Sequence, residues 1–250
     1  MEKPGQSAKA NPLRLDKFLA SRGIGSRREV VKLVKQGLVK VNGKVVKDPT
    51  TKVLPEADSV EVNGKKLNMS RHFYFKFYKP AGYITSTSSK DGICIFEVLP
   101  EEVKKIPGLF PVGRLDKDAE GLLLLTTDGT LAHRLMHPKW KLQKVYWVRL
   151  NKPLSKEHKI LIEQGIELSD GKTLPCNITY LNLEKALIEV TVYEGRYHLV
   201  KRLFKKFGYQ VTYLKRIKIG NISLGDLKIG EVKPVTYEEL KELRRLLKLD

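Results

Sequence analysis

Asp116 is the residue of this 250-residue chain whose surroundings most suggest chemistry. A carboxylate is ionised at neutral pH and, unlike a serine hydroxyl, needs no base to make it a nucleophile. It lies in Gly113-Arg114-Leu115-Asp116-Lys117-Asp118-Ala119-Glu120-Gly121, and four leucines, Leu122 to Leu125, follow. An apolar run of that length, closed by the turn signal Asp128-Gly129, predicts a strand buried on both faces. Asp116 then sits on a loop fixed by a rigid strand, where enzymes place reactive groups. A structural role as a turn or cap competes for Asp116. It is the reading adopted for Asp128, which precedes the amphipathic Leu131-Ala132-His133-Arg134-Leu135-Met136.

The second concentration of chemistry is cationic. Arg196 to Lys218 carries eight lysines or arginines and no acid. Val200, Leu203, Phe204 and Phe207 recur there at helical spacing before Gly208. The whole chain has a net charge of +19, which implies a polyanionic partner. Nucleic acid fits better than a membrane, because there is no long apolar run, signal-peptide pattern or basic helix with aromatic anchors. Cys94 and Cys176 are far apart and belong to no metal-binding cluster. They point to a reducing cytoplasm and no zinc, with Cys94 an inert thiol between Ile93 and Ile95. His198 likewise lacks metal-ligand spacing. Neither a dinucleotide nor a P-loop glycine pattern occurs, so no cofactor is expected.

The elements that must position these residues follow in chain order. Residues 1–11 read as a leader. Leu15, Phe18 and Leu19 share one helical face, and Gly23-Ile24-Gly25 interrupts it. Ser26 caps a second helix with Val30, Val31 and Val34 inward, and Gly37 ends it. Asn42-Gly43 and Asn63-Gly64 mark two hairpins. The helices carry Arg14, Lys17, Arg22, Arg27, Arg28, Lys32 and Lys35 against Asp16 and Glu29, a surplus of five positive charges. Residues 67–71 read as a linker. Alternation then predicts strands at His72–Lys79, Lys144–Leu150 and Ala186–Tyr193, and Ser86 to Asp91 reads as a polar turn. Short helices are expected around Phe96–Val103 and Ile160–Ile166, and a hairpin at Asp170-Gly171. A terminal helix over Tyr237–Leu247 would turn Leu240, Leu243, Leu246 and Leu247 to the core.

Gly113-Arg114-Leu115-Asp116-Lys117-Asp118-Ala119-Glu120-Gly121 with its leucines resembles the signature of the RNA pseudouridine synthases of the RsuA type. Lys79-Pro80-Ala81-Gly82, Lys144-Val145-Tyr146-Trp147-Val148 and Glu194-Gly195-Arg196-Tyr197-His198-Leu199-Val200-Lys201-Arg202 match further motifs of that family in the same order. The segment from Leu13 to about Val62 resembles the S-four-like RNA-binding domain first seen in a ribosomal small-subunit protein. The likeness runs from about Leu13 to the C-terminus. It departs at Leu199, where the family usually has glutamine.

The resemblance implies residues 12–66 as the RNA-binding domain and 72–250 as the synthase domain. It implies an α+β fold: a mainly antiparallel mixed-sheet catalytic domain with flanking helices and a central cleft, behind a small α/β N-terminal domain. Asp116 would be the nucleophile, Tyr146 a catalytic-site residue stacking under the base, and Lys201 the partner holding the nucleophile as carboxylate. Lys79 would line the cleft. Arg114, Arg196, His198 and Arg202 would hold the displaced backbone and base, and Arg14, Arg27 and Arg28 would grip phosphates of ribosomal RNA. Breaking a glycosidic bond, turning the uracil and rejoining it through carbon demands no redox change and no metal. The uridine must be extruded from its stack. Whether Asp116 attacks the base, attacks the sugar or abstracts a sugar proton stays open. The Glu194–His198 and Val200–Arg202 motifs favour small-subunit RNA, with large-subunit RNA as the alternative, and a monomer is expected. The competing classes are a non-catalytic ribosome-assembly protein and a methyltransferase using Cys94.

Overall fold

The computed structural model describes residues 12–21, 24–54, 58–67, 72–88 and 92–249. The leader at 1–11, Arg22 and Gly23, linker residues 68–71 and the end of the polar turn at 89–91 lie outside the described residues. The chain forms two compact units, Met1–Arg71 and His72–Asp250.

In the first unit, α1 (Leu15–Ser21) buries Leu15, Phe18 and Leu19. A capping box starts α2 (Arg27–Lys35): the Ser26 hydroxyl accepts from the Glu29 amide, and the Glu29 carboxylate accepts from the Ser26 amide. Val30 and Val34 are fully buried. Val31, expected inward with them, is only half-buried, because it stands about 100° round the helix from Val30. Two tight turns then join β1 (Val39–Val41) to β2 (Lys44–Val45) and β3 (Val60–Val62) to β4 (Lys65–Lys66). Asn42 and Asn63 adopt φ of 51° and 52° there, the left-handed backbone that hairpin turns require. The strands lie in the order β2-β1-β3-β4.

The second unit is built on a nine-stranded sheet. Its main path comprises β5 (Tyr74–Lys79), β7 (Glu120–Thr126), β8 (Lys144–Leu150), β9 (Asn177–Asn182), β10 (Leu187–Val192), β11 (Val211–Ile219) and β13 (Val232–Pro234). They run in the order β9-β10-β8-β11-β7-β5-β13, with β6 (Phe110–Val112) on β7 and β12 (Ile222–Ser223) on β11. Every pairing is antiparallel except β11 with β7. The fold is therefore α+β on a mainly antiparallel mixed sheet, as expected.

Strand β7 explains the leucine run. Leu122 and Leu124 face a core with Leu131 and Leu135 of α4 (Gly129–Met136) and Leu243 of α7 (Tyr237–Leu246). Leu123 and Leu125 face the opposite core, with Val103 of α3 (Glu101–Lys104), Ile162 of α5 (Lys156–Glu163) and Leu203 of α6 (Leu199–Lys205). Each fully buried leucine contributes about 1.5–3 kcal/mol, so β7 is a stiff base for the loop before it.

Some local expectations shift. Strand β5 does not alternate: Phe77, Tyr78 and Lys79 are all buried, because both faces of the sheet are covered. The Phe96–Val103 helix splits around Pro100 into a 3-10 turn at Ile95–Glu97 and α3. Helix α5 starts earlier than Ile160, because the Ser155 hydroxyl caps it. Leu246 is 40% exposed rather than inward.

Candidate active site

Asp116 lies on the loop between β6 and β7, tied down from several sides. Gly82 donates its amide to the Lys117 carbonyl at 2.7 Å. The Thr85 hydroxyl donates to the Leu115 carbonyl at 2.8 Å and accepts from the Leu115 amide at 3.1 Å. Beneath the loop the Lys79 ammonium, fully buried, donates to the carbonyls of Pro80, Asp116 and Ala119 at 3.0, 3.1 and 2.7 Å. Lys79 thus does not line the cleft as expected. It holds the loop from below, and burial pulls its ammonium down to about 8, against the pull of Asp118 and Asp116.

Gly121 explains the glycine of the motif. Its φ is +107°, and a Cβ there would collide with the backbone of Arg216 on the neighbouring parallel strand. Only glycine lets β7 and β11 approach so closely.

The Asp116 carboxylate meets two side chains from the start of α6. Lys201 Nζ is 3.0 Å from Oδ2, and His198 Nε2 is 3.4 Å from Oδ1. Lys201 also reaches Asp118 Oδ1 at 2.6 Å. Burial alone would lower its pKa, but hydrogen bonds to Asp118 and Asp116 outweigh that and hold the ammonium above its ordinary value. His198 adopts a left-handed backbone with φ 49°, and Tyr197, 73% exposed, stacks on its ring.

Asp116, Tyr197, His198 and Lys201 line a cavity of about 670 Å³ with Arg114, Tyr146, Lys144, Arg196 and Arg216. That volume suits a nucleoside-sized ligand. Tyr146 is buried in the wall, and in the strand register it stands opposite Arg216.

The arginines divide. Arg114 is exposed at the cavity wall. Arg196 borders the cavity, but its guanidinium is engaged by Glu194, by Asp170 and by the carbonyls of Gly171 and Lys172. Arg202 is not a lining residue; it binds Asp170, at 2.9 Å from Nη1 to Oδ2, and lowers that carboxyl to about 2. Both brace the Asp170-Gly171 hairpin. In the first unit Arg14, Arg27 and Arg28 are all exposed, and Arg14 and Arg27 also pair with the buried Asp16 at 3.0 and 3.3 Å. Leu199, in place of the family's glutamine, is buried in the core.

Sequence reasoning missed Lys144 and Arg216, both buried charges in the cavity wall. Burial and the nearby Arg216 charge push the Lys144 ammonium down to about 8. The signal lay in strand periodicity: Lys144, Tyr146 and Val148 share one side of β8, and Arg216 is two residues from the buried Leu214. Cys94 and Cys176 are buried, and burial pushes the Cys176 thiol up to about 12, against nucleophilic use. Among the described residues no helix is long and apolar enough to cross a membrane.

A loop-borne carboxylate thus stands beside a basic helix at the wall of a cavity in this α+β sheet. Residues 74–206 match the RNA pseudouridylate synthase family, and residues 13–59 match the S4 domain. An uncharacterised RNA pseudouridine synthase of Aquifex aeolicus is 45% identical over 92% of this chain and 93% of its own length. The ribosomal large subunit pseudouridine synthase B of Bacillus subtilis is 40% identical, over 93% of this chain and 96% of its length. A crystal structure of a pseudouridylate synthase, 34% identical, covers 92% of this chain and 99% of its own, with a TM-score of 0.64. The chain belongs to the RNA pseudouridine synthases of the RsuA type and carries an S4 domain at its N-terminal end.

Proposed function

We propose that this enzyme isomerises one uridine of large-subunit ribosomal RNA, with Asp116 as the group that acts on the extruded nucleotide. The observation that carries the reading is the Asp116 carboxylate at the wall of the 670 Å³ cavity, 3.0 Å from the Lys201 ammonium. Uracil and ribose enter the cavity, and the bond between N1 and the anomeric carbon breaks with its electron pair leaving on the base. The base turns, the anomeric carbon bonds to C5, and the C5 proton departs. Attack on the ring, attack on the sugar and removal of a sugar proton all begin from this carboxylate. Lys201 supports it as the ionised form. Tyr146 packs beneath the base and takes the ring-carbon proton, and His198 and Arg114 hold the flipped nucleotide.

The Bacillus subtilis relative, named for the large ribosomal subunit, supports large-subunit RNA over the small-subunit target that the Glu194–His198 and Val200–Arg202 motifs suggested. The exposed arginines of α2, Arg27 and Arg28, and the overall charge support phosphate contacts by the first unit. A ribosomal RNA substrate supports a cytoplasmic location. Pseudouridine mapping of ribosomal RNA from cells with and without the gene tests the reading. One large-subunit uridine should remain unmodified in the deletion. A lost site in small-subunit RNA would overturn the target, and no lost site would overturn ribosomal RNA as substrate.

A further inference from the structure

Arg216 is 4% exposed, yet it borders the cavity. Its Nε donates to the Leu122 carbonyl at 2.8 Å, and its Nη1 reaches the Arg114 carbonyl at 3.4 Å. Nη2 is fully buried and has no hydrogen-bond partner among the described residues. A buried donor left without an acceptor is costly and rare in native proteins, so one carried by a residue that borders the cavity points to a ligand acceptor. Beside it stands a second buried cation, Lys144, which donates to the Leu142 carbonyl at 3.2 Å. Both side chains donate and neither accepts. Around them the wall is apolar, with Val112, Leu135, Leu214 and Ile219, which suits a flat ring better than a hydrated phosphate.

We infer that Arg216 recognises the carbonyl edge of the extruded uracil, donating from Nη2 to a ring carbonyl oxygen with Lys144 as the adjacent cation. The inference rests on the reading that this cavity receives the target uridine. Uracil presents acceptors at both C2 and C4, whereas cytosine presents an amine donor at C4, which finds no acceptor on the Arg216 and Lys144 side chains. The same contact acts during the reaction. When the anomeric carbon separates from N1, the electron pair leaves with the base and spreads onto its carbonyl oxygens. A guanidinium donating there stabilises that anion.

The test uses a synthetic RNA hairpin spanning the mapped uridine, with uridine, 2-thiouridine or 4-thiouridine at that position. Sulfur accepts hydrogen bonds weakly, so wild-type enzyme should lose about tenfold or more in single-turnover rate on one of the two thio-RNAs. Arg216→Gln should lose about 100-fold on uridine, as expected for one missing transition-state donor, and should no longer distinguish oxygen from sulfur. Its affinity for the hairpin should hold, since phosphate contacts dominate binding. Equal wild-type rates on all three RNAs would overturn the inference without any variant having to fold. A folded Arg216→Gln enzyme at wild-type rate would overturn it as well. Full activity of Asp116→Ala would instead overturn the reading of the cavity on which the inference stands.

Discussion

The buried Lys79 ammonium donates a hydrogen bond to the backbone carbonyl of Asp116 at 3.1 Å. With the bonds to Pro80 and Ala119, one cation ties the end of β5 to the loop that presents the Asp116 side chain. A lysine that looks like a nucleic-acid contact in the sequence is thus a fastener under the site.

Lys79→Met should therefore act through the fold. It leaves several carbonyls without their donor in a dry setting, and a loss of about 2–4 kcal/mol is expected in a urea melt. Where the variant is folded, the single-turnover rate should fall while RNA affinity stays near wild type. An unchanged melt with weakened RNA binding would restore Lys79 to the substrate surface.

Gly121→Ala should be nearly as harmful, although it adds one methyl group. The new Cβ would strike the Arg216 backbone, and the residue would keep a φ that side chains resist. The β7–β11 contact must open, at a cost of about 2–4 kcal/mol by chemical denaturation. A melt within experimental error of wild type would show that the strands can separate freely.

Lys201→Met removes the ammonium from both Asp116 and Asp118. The single-turnover rate should drop about 100-fold, and Lys201→Arg should recover part of it, because a cation returns without the same reach. Equal rates for wild type and Lys201→Met would remove Lys201 from the chemistry.

Lys144 gives a pH signature. Unfolded, a lysine titrates near 10.5; folded, this one titrates near 8 because burial disfavours its charge. Between those values the unfolded chain binds more protons, so stability rises with pH there and is unaffected by this group below pH 8. Relative to Lys144→Met, the wild type should gain roughly 2 kcal/mol between pH 8 and 10 in paired urea melts. A flat or falling difference would mean that the amine is not buried as a charge.

Much of this was legible in the sequence, for reasons that differ by element. The leucine run announced β7 because burial on both faces leaves no polar alternation. The capping box at Ser26 and the Asn-Gly turns declared themselves because local backbone chemistry decides them. Asp116 and Lys201 could be paired only by resemblance, since 84 residues separate their ends of the motifs. The engagement of Arg196 and Arg202 by Asp170 was not legible, because charge alone does not reveal the acid that meets it from a hairpin. Lys79, Lys144 and Arg216 were misread or missed because lysine and arginine in a strand ordinarily mark a solvent face. Only the tertiary packing shows that these three are inside.

The most direct measurement is pseudouridine formation by Asp116→Asn, side by side with wild type, on one RNA under single-turnover conditions. Asn keeps the size and the backbone of the loop while removing the charge that faces Lys201. The wild type should convert the RNA, and the variant should bind it with similar affinity yet form no product. Product formation by the folded variant at a rate near wild type would contradict the assignment of the chemistry to this carboxylate.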